Sequence, residues 1–421
     1  MKSNIFLFYI VTAIFWFSLY AYVPYVAPYA EYMEANHRMI GLIAGSYGFT
    51  QMIIRFPLGI FSDKIGKRKI FVILGTAFAA AAGFLVFFAP SPLSLLIARA
   101  LGGVAASAWV AFTILGAGYY PPDNAAKAMG HLSACNSAGR MLALLGGALL
   151  AFSVGFELSF LLGGVAGIFG VALSFFVKEK PEESVEKCRE LRRVHKKPAA
   201  SGRFLRTSVC ERTIFQHSPG KAESPPLSEL LAVAKNRQLL ACSVLGILAM
   251  FVSFATTFGF VPIAAVALDA TPFHIGLLGV VSAGTGILIS PFAGTILPKK
   301  FGVCATLVIG FLLSAAGSVL IAATGSIAML FAVQVAGSVG LAILGTLLLG
   351  LCIRDISPAR RATAMGFFQA VYGIGMFLGP FVAGHISHAF DLNTAFIFTG
   401  FVGVAGAICT VIYAKKGCLM Y

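Results

Sequence analysis

The chain has 421 residues, of which 58% are hydrophobic and 11% charged, and its mean hydropathy is +0.90. About 244 apolar positions would fill a dozen membrane spans of roughly 20 residues, and no soluble core holds that many. The net charge of +15 is no nucleic-acid footprint, because 27 of the 31 Lys and Arg fall in loops on one side of the apolar runs.

In chain order the apolar runs predict spans near 5–27, 40–60, 70–90, 93–118, 128–152 and 158–177. A second set follows near 239–267, 274–297, 303–323, 327–352, 362–387 and 394–414. The runs do not alternate apolar with polar residues, so an all-α polytopic membrane protein of 12 transmembrane helices is expected, not a barrel. The first run is too long for a signal-peptide core and more membrane follows it, which makes it a retained helix. An even number of spans puts both termini on one side. The basic loops make that side the cytoplasm, with the chain multi-pass in the plasma (cell inner) membrane.

The predicted layout is an N-terminal six-helix bundle over 1–177, a cytoplasmic linker over 178–238 and a C-terminal six-helix bundle over 239–421. The stretch 178–226 holds twelve Lys/Arg, seven acidic residues and five Pro, a composition that cannot bury a core and reads as a tether. A short amphipathic helix is expected over Leu227–Leu240. The eight cysteines all lie in spans or inside segments. No disulfide, metal-ligand spacing or cofactor is expected.

The six-plus-six layout carries an internal repeat. Ala128-Met129-Gly130 recurs as Ala364-Met365-Gly366, an offset of 236, and the same offset pairs Gly139 with Gly375 and Ala143 with Gly379. The halves read as pseudo-symmetric copies, and in repeat-built transporters the substrate path lies between the copies.

The sharpest local motif is Gly59-Ile-Phe-Ser-Asp63-Lys64-Ile-Gly66-Lys67-Arg68-Lys69, after the second span. Gly59 would let another helix approach closely, Asp63 can accept from a helix N-terminus, and the basic run would hold the turn at the membrane surface. This run resembles the G-x-x-x-D-[RK]-x-G-[RK]-[RK] signature of the major facilitator superfamily. The resemblance implies a cytoplasmic latch in which Gly59, Asp63, Gly66, Arg68 and Arg55 take part in gating. Arg99 and Gly103 in span four are similar to that family's R-x-x-x-G pattern, whose arginine is implicated in proton coupling. In span five Gly130, Gly139 and Gly147 partly match the pattern of drug/proton antiporters, but Ala143-Leu144 stands where those exporters carry Gly-Pro. The full Gly379-Pro380 pair appears in span eleven instead.

Three arginines fall inside apolar runs: Arg55, Arg99 and Arg140. A cation at bilayer depth is costly and usually faces a wet cavity, and no Asp or Glu sits equally deep. An anionic group in the cavity would relieve that cost. Arg55 reads either as a cap of the inner turn or as a substrate contact. Further candidates for substrate binding are Trp16, Tyr20, Trp109, Thr257, Gln334, Gln369 and Tyr372, whereas Tyr25 reads as interfacial belt.

The expected function is alternating-access export of a small amphipathic or organic-anion compound, coupled to protons by antiport, from a monomer in the lipid bilayer. Uptake of an anionic nutrient and a non-transporting membrane sensor are the alternatives. No catalytic constellation marks an enzyme.

Overall fold

The computed structural model describes residues 2–65, 67–120, 125–179, 236–354, 356 and 361–418. The described residues are helical and include no strand. Spans one to six are Lys2–Tyr20 with Val23–Tyr32, then His37–Ile65, Arg68–Phe87, Pro92–Ser107 with Trp109–Ala117, Ala125–Ser153 and Glu157–Phe176. Spans seven to twelve are Arg237–Ala255 continued through Thr256–Phe260 to Val261–Val266, then Pro272–Phe301, Val303–Ile321, Ile327–Arg354, Arg361–Ala389 and Leu392–Lys415. Eleven of these are long and apolar enough to cross a bilayer. Span two has the length, at 29 residues, but carries Ser46, Thr50, Gln51 and Arg55 along it.

Local chemistry sets the boundaries. Span four begins at Pro92, whose missing N–H would be unused there, behind a reciprocal Ser91–Ser94 capping box. Span eight repeats the device with Thr271, Pro272 and His274. Asp391 opens span twelve by accepting from the Thr394 amide at 2.6 Å. Span one breaks after Tyr20 and restarts ahead of Pro24, and span seven widens into a π turn over Thr256–Phe260 just before Pro262. Such turns displace the side chains that follow from a regular helical face.

The internal repeat is visible as packing. Gly139 and Gly147 of span five lie against the carbonyls of Ala13 and Ala21 of span one, where a Cβ would not fit. In the other half Gly375 and Gly379 of span eleven lie in the same way against the carbonyls of Ile247 and Phe251 of span seven. Small residues thus let backbones touch in both bundles, with Gly139 and Gly375 at equivalent places in the repeat.

The two bundles meet tightly at one end. Gly41 packs on Pro380 and Gly384, Gly45 on Phe377 and Gly48 on Met376, joining spans two and eleven; Gly276 packs on Ala148 and Tyr25, joining spans eight and five. Toward the other end, which carries the start of the chain and the close of span six, Gly59, Gly130, Gly286 and Gly366 have no described atom within 4 Å of where a Cβ would sit. Two sequence expectations change accordingly. Gly59 makes no close contact with a described helix, because the described parts of the bundles lie apart at its end. Tyr25 is 1% exposed and is no interfacial anchor, because the seal between spans one, five and eight encloses it. Most of the linker, including Leu227 to Lys235 of the expected amphipathic helix, lies outside the described residues, and Arg237 already belongs to span seven.

Candidate substrate site

Four-residue spacing on three helices builds the site, since residues i and i+4 share a face. Tyr47, Gln51 and Arg55 run down one face of span two and are 3%, 2% and 8% exposed. On span one, Trp16 and Tyr20 have ring centroids 5.8 Å apart, and on span five Asn136 precedes Arg140. Arg99 of span four, 4% exposed, lies with its guanidinium 4.3 Å from the centre of the Tyr47 ring. Arg140 stacks the same way on Tyr20 at 4.4 Å. Each cation is thereby held by a π face, which is worth up to about 2 kcal/mol where water is excluded. Tyr47 is within electrostatic reach of Arg55, Arg140 and Tyr20 as well as of Arg99, so it sits at the centre of the group.

Aromatic residues wall this cluster. Trp109 meets Trp16 edge-on at 5.3 Å. From the other bundle, Phe254 stacks near Tyr47 at 6.3 Å and Phe258 meets Tyr20 edge-on at 6.2 Å. Arg55 reaches across as well: its Nη1 donates to Gln369 Oε1 at 3.2 Å and to the Tyr372 hydroxyl at 3.4 Å. The arrangement therefore brings together Trp16, Tyr20, Arg55, Arg99, Trp109, Arg140, Gln369 and Tyr372.

Several buried donors here have no partner: Trp16 Nε1, Gln51 Nε2, Arg55 Nε, Arg99 Nη1 and Arg140 Nε. Asn136 Oδ1 is likewise unbonded, and the Tyr22 hydroxyl lies against the Arg99 guanidinium. Among the described residues the one ion pair is His37 with Glu31, so no described carboxylate pairs with these three arginines. Leaving a buried charged donor unmet costs more than the roughly 1–3 kcal/mol of a neutral one.

Thr257 and Gln334 are placed elsewhere. Gln334 Nε2 donates to Thr257 Oγ1 at 3.2 Å, and both line a small cavity within the C-terminal bundle together with Ser314 and Ser318 of span nine.

The motif expected to take part in gating is seen in part. Gly66 and the side chain of Asp63 lie outside the described residues. The N-terminus of span three is held by Glu179, whose Oε1 accepts from the Arg68 amide at 2.8 Å and whose Oε2 accepts from the Lys69 amide at 3.2 Å. Sequence reasoning counted Glu179 in the tether and passed over Tyr47, Gln51 and Asn136. The signal for those three was their spacing of four or eight residues from Arg55 and Arg140.

A profile described as Major Facilitator Superfamily matches residues 6–297 and 243–416. An uncharacterized MFS-type transporter of Methanocaldococcus jannaschii is 22% identical over 423 residues, covering 99% of each chain. The quinolone resistance protein NorA of Staphylococcus aureus is 29% identical over 149 residues, 34% of this chain and 37% of its own. Among solved structures, a bacterial homolog of the human lysosomal transporter Spinster, in an inward-facing and occupied conformation, superposes with a TM-score of 0.75 at 15% identity, over 100% of this chain and 98% of that one.

Proposed function

The chain belongs to the major facilitator superfamily, and we propose that within this transporter family it exports a small organic anion by alternating access of its two bundles. The observation that carries the reading is the set of unpartnered donors on Arg55, Arg99, Arg140, Gln51 and Trp16, gathered where no described carboxylate answers them. An anion with two or more acceptor oxygens would satisfy several at once. Its apolar body would lie against Trp16, Trp109, Phe254 and Phe258. The likeness to a protein named for quinolone resistance supports the outward direction.

Orientation follows from charge. With 27 of 31 cations on one side, the open end faces the cytoplasm, both termini lie there, and the sealed end faces outward in the cell membrane. In this state the site is offered to the cytoplasm, as loading of an export substrate requires. The protein works as a monomer. Proton coupling is carried by the substrate's own ionisation, since among the described residues no Asp or Glu lies near the arginines.

The test is ligand-induced thermal stabilisation of the purified protein. Organic anions raise the Tm, while neutral and cationic analogues of the same skeleton do not; preference for lipophilic cations contradicts the proposal. Flux in inverted vesicles then separates export from uptake of an anionic nutrient, and a sensor would show no flux.

A further inference from the structure

At the sealed end the chain leaves span one at Tyr32, turns through Glu34 at φ 60° and enters span two at His37. The Asn36 side chain accepts from the Met39 amide at 2.9 Å and fixes that start. His37 precedes the apolar run of span two, and its side chain is 27% exposed. Its Nδ1 lies 2.6 Å from Ser387 Oγ on span eleven, and its Nε2 lies 3.8 Å from Glu31 Oε1 at the end of span one. The imidazole also meets the Phe260 ring of span seven at 5.9 Å. Its own carbonyl occupies the space that a side chain on Gly384 would need. A histidine of one bundle is thus bonded to a buried serine of the other at the seam where the bundles close.

We propose that His37 is a proton-binding site that latches the two bundles at this end. The imidazolium donates from both nitrogens, from Nδ1 to Ser387 Oγ and from Nε2 toward Glu31, whereas the neutral ring with its proton on Nε2 accepts from the Ser387 hydroxyl at Nδ1, the weaker, uncharged form of that bond. Glu31 belongs to the same bundle as His37 and stays with it when the seal opens. Ser387 does not. The charge-assisted bond to Ser387 exists only in the sealed conformation, which therefore binds the proton more tightly than the open one. Sealing is then favoured at pH values below the His37 pKa in the sealed state and loses that support as the pH rises through it.

The neighbouring Glu31 carboxylate raises the proton affinity of His37 above the ordinary value, with burial acting in the opposite direction. Toward this end, the other charged or titratable groups on the elements around it are Tyr29, Tyr32, Glu34, Arg38, Asp269, His385, His388 and Asp391. His385 is turned to the Phe381 carbonyl of its own helix, 2.8 Å from its Nδ1. Because His37 would take up and release its proton on the same side of the membrane, it senses pH at the gate and does not carry a transported proton.

The test uses the full chain in detergent with no substrate, bearing fluorescent noncanonical residues at the exposed positions Glu34 and Phe390, one on each side of the seal. The wild type should become more sealed as the pH falls from 8 to 5, His37→Gln should lose that response, and Ser387→Ala should reduce its amplitude at least twofold. Glu31→Gln should move the midpoint to lower pH, which keeps the idea testable if His37→Gln does not fold. His385→Gln should respond as the wild type does. A wild type insensitive to pH, or an unchanged response in His37→Gln, overturns the latch while leaving the anion site untouched.

Discussion

Arg55 of span two donates to Gln369 of span eleven at 3.2 Å, across the seam where the two bundles begin to part. The same arginine keeps an unbonded Nε in the anion cluster, so one side chain touches both the candidate site and the opposite bundle. Under the proposed anion binding, a cation in this position would link occupancy to the relation between bundles, because an arriving anion would compete with Gln369 for it. Gln369→Leu is expected to slow transport several-fold while anion affinity stays within about fivefold, since one hydrogen bond contributes about 1 kcal/mol. Equilibrium binding measured beside flux checks this, and a loss of affinity as large as that of an Arg99 variant would contradict it.

The glycines sort into two mechanical classes. Gly41 meets Pro380 and Gly384 of the other bundle, so Gly41→Leu should prop the seal open and stop transport while each bundle remains folded. Gly139 meets Ala13 within its own bundle, so Gly139→Leu should destabilise the protein by roughly 1–3 kcal/mol or more, as overpacking against backbone does. Thermal unfolding separates them: a similar Tm loss in both variants would refute the distinction.

Glu179 caps span three through two backbone amides. Glu179→Gln removes the charge from a helix N-terminus and weakens that cap, at a cost of roughly 0.5–2 kcal/mol. Protease sensitivity of the turn after Ile65 should rise, with anion binding unchanged. Unchanged sensitivity would show that Glu179 holds nothing there.

Much of the architecture was legible because membrane burial imposes long apolar runs. The repeat glycines at 139 and 375 were legible for the same reason: only small residues let helices touch. The three arginines announced themselves by their depth. What they rest on did not. Tyr47 looks like any aromatic in an apolar run until Arg99 is seen above its ring. Thr257 and Gln334 were plausible site residues by span number, yet they bond to each other inside one bundle. Span order tells which helices line a path but not which way a π turn rotates the residues beyond it. His37 gave no signal at all, because its partner Ser387 lies 350 positions away.

The orientation is open to a direct check. A cysteine introduced within 178–226, in a background without native cysteines, should resist an impermeant thiol reagent in intact cells and react once the membrane is opened. Labelling from outside would invert the assignment of both ends.

The central claim is that Arg99 and Arg140, each stacked on a tyrosine and left with an unbonded N–H, hold an anion. The most direct measurement is binding of an anionic, a neutral and a cationic ligand of one skeleton to wild type and to Arg140→Ala. The account predicts a roughly tenfold to hundredfold loss for the anion, the worth of one charge-assisted contact, and little change for the other two. Equal loss across the three charges would contradict it and return the arginines to a structural role.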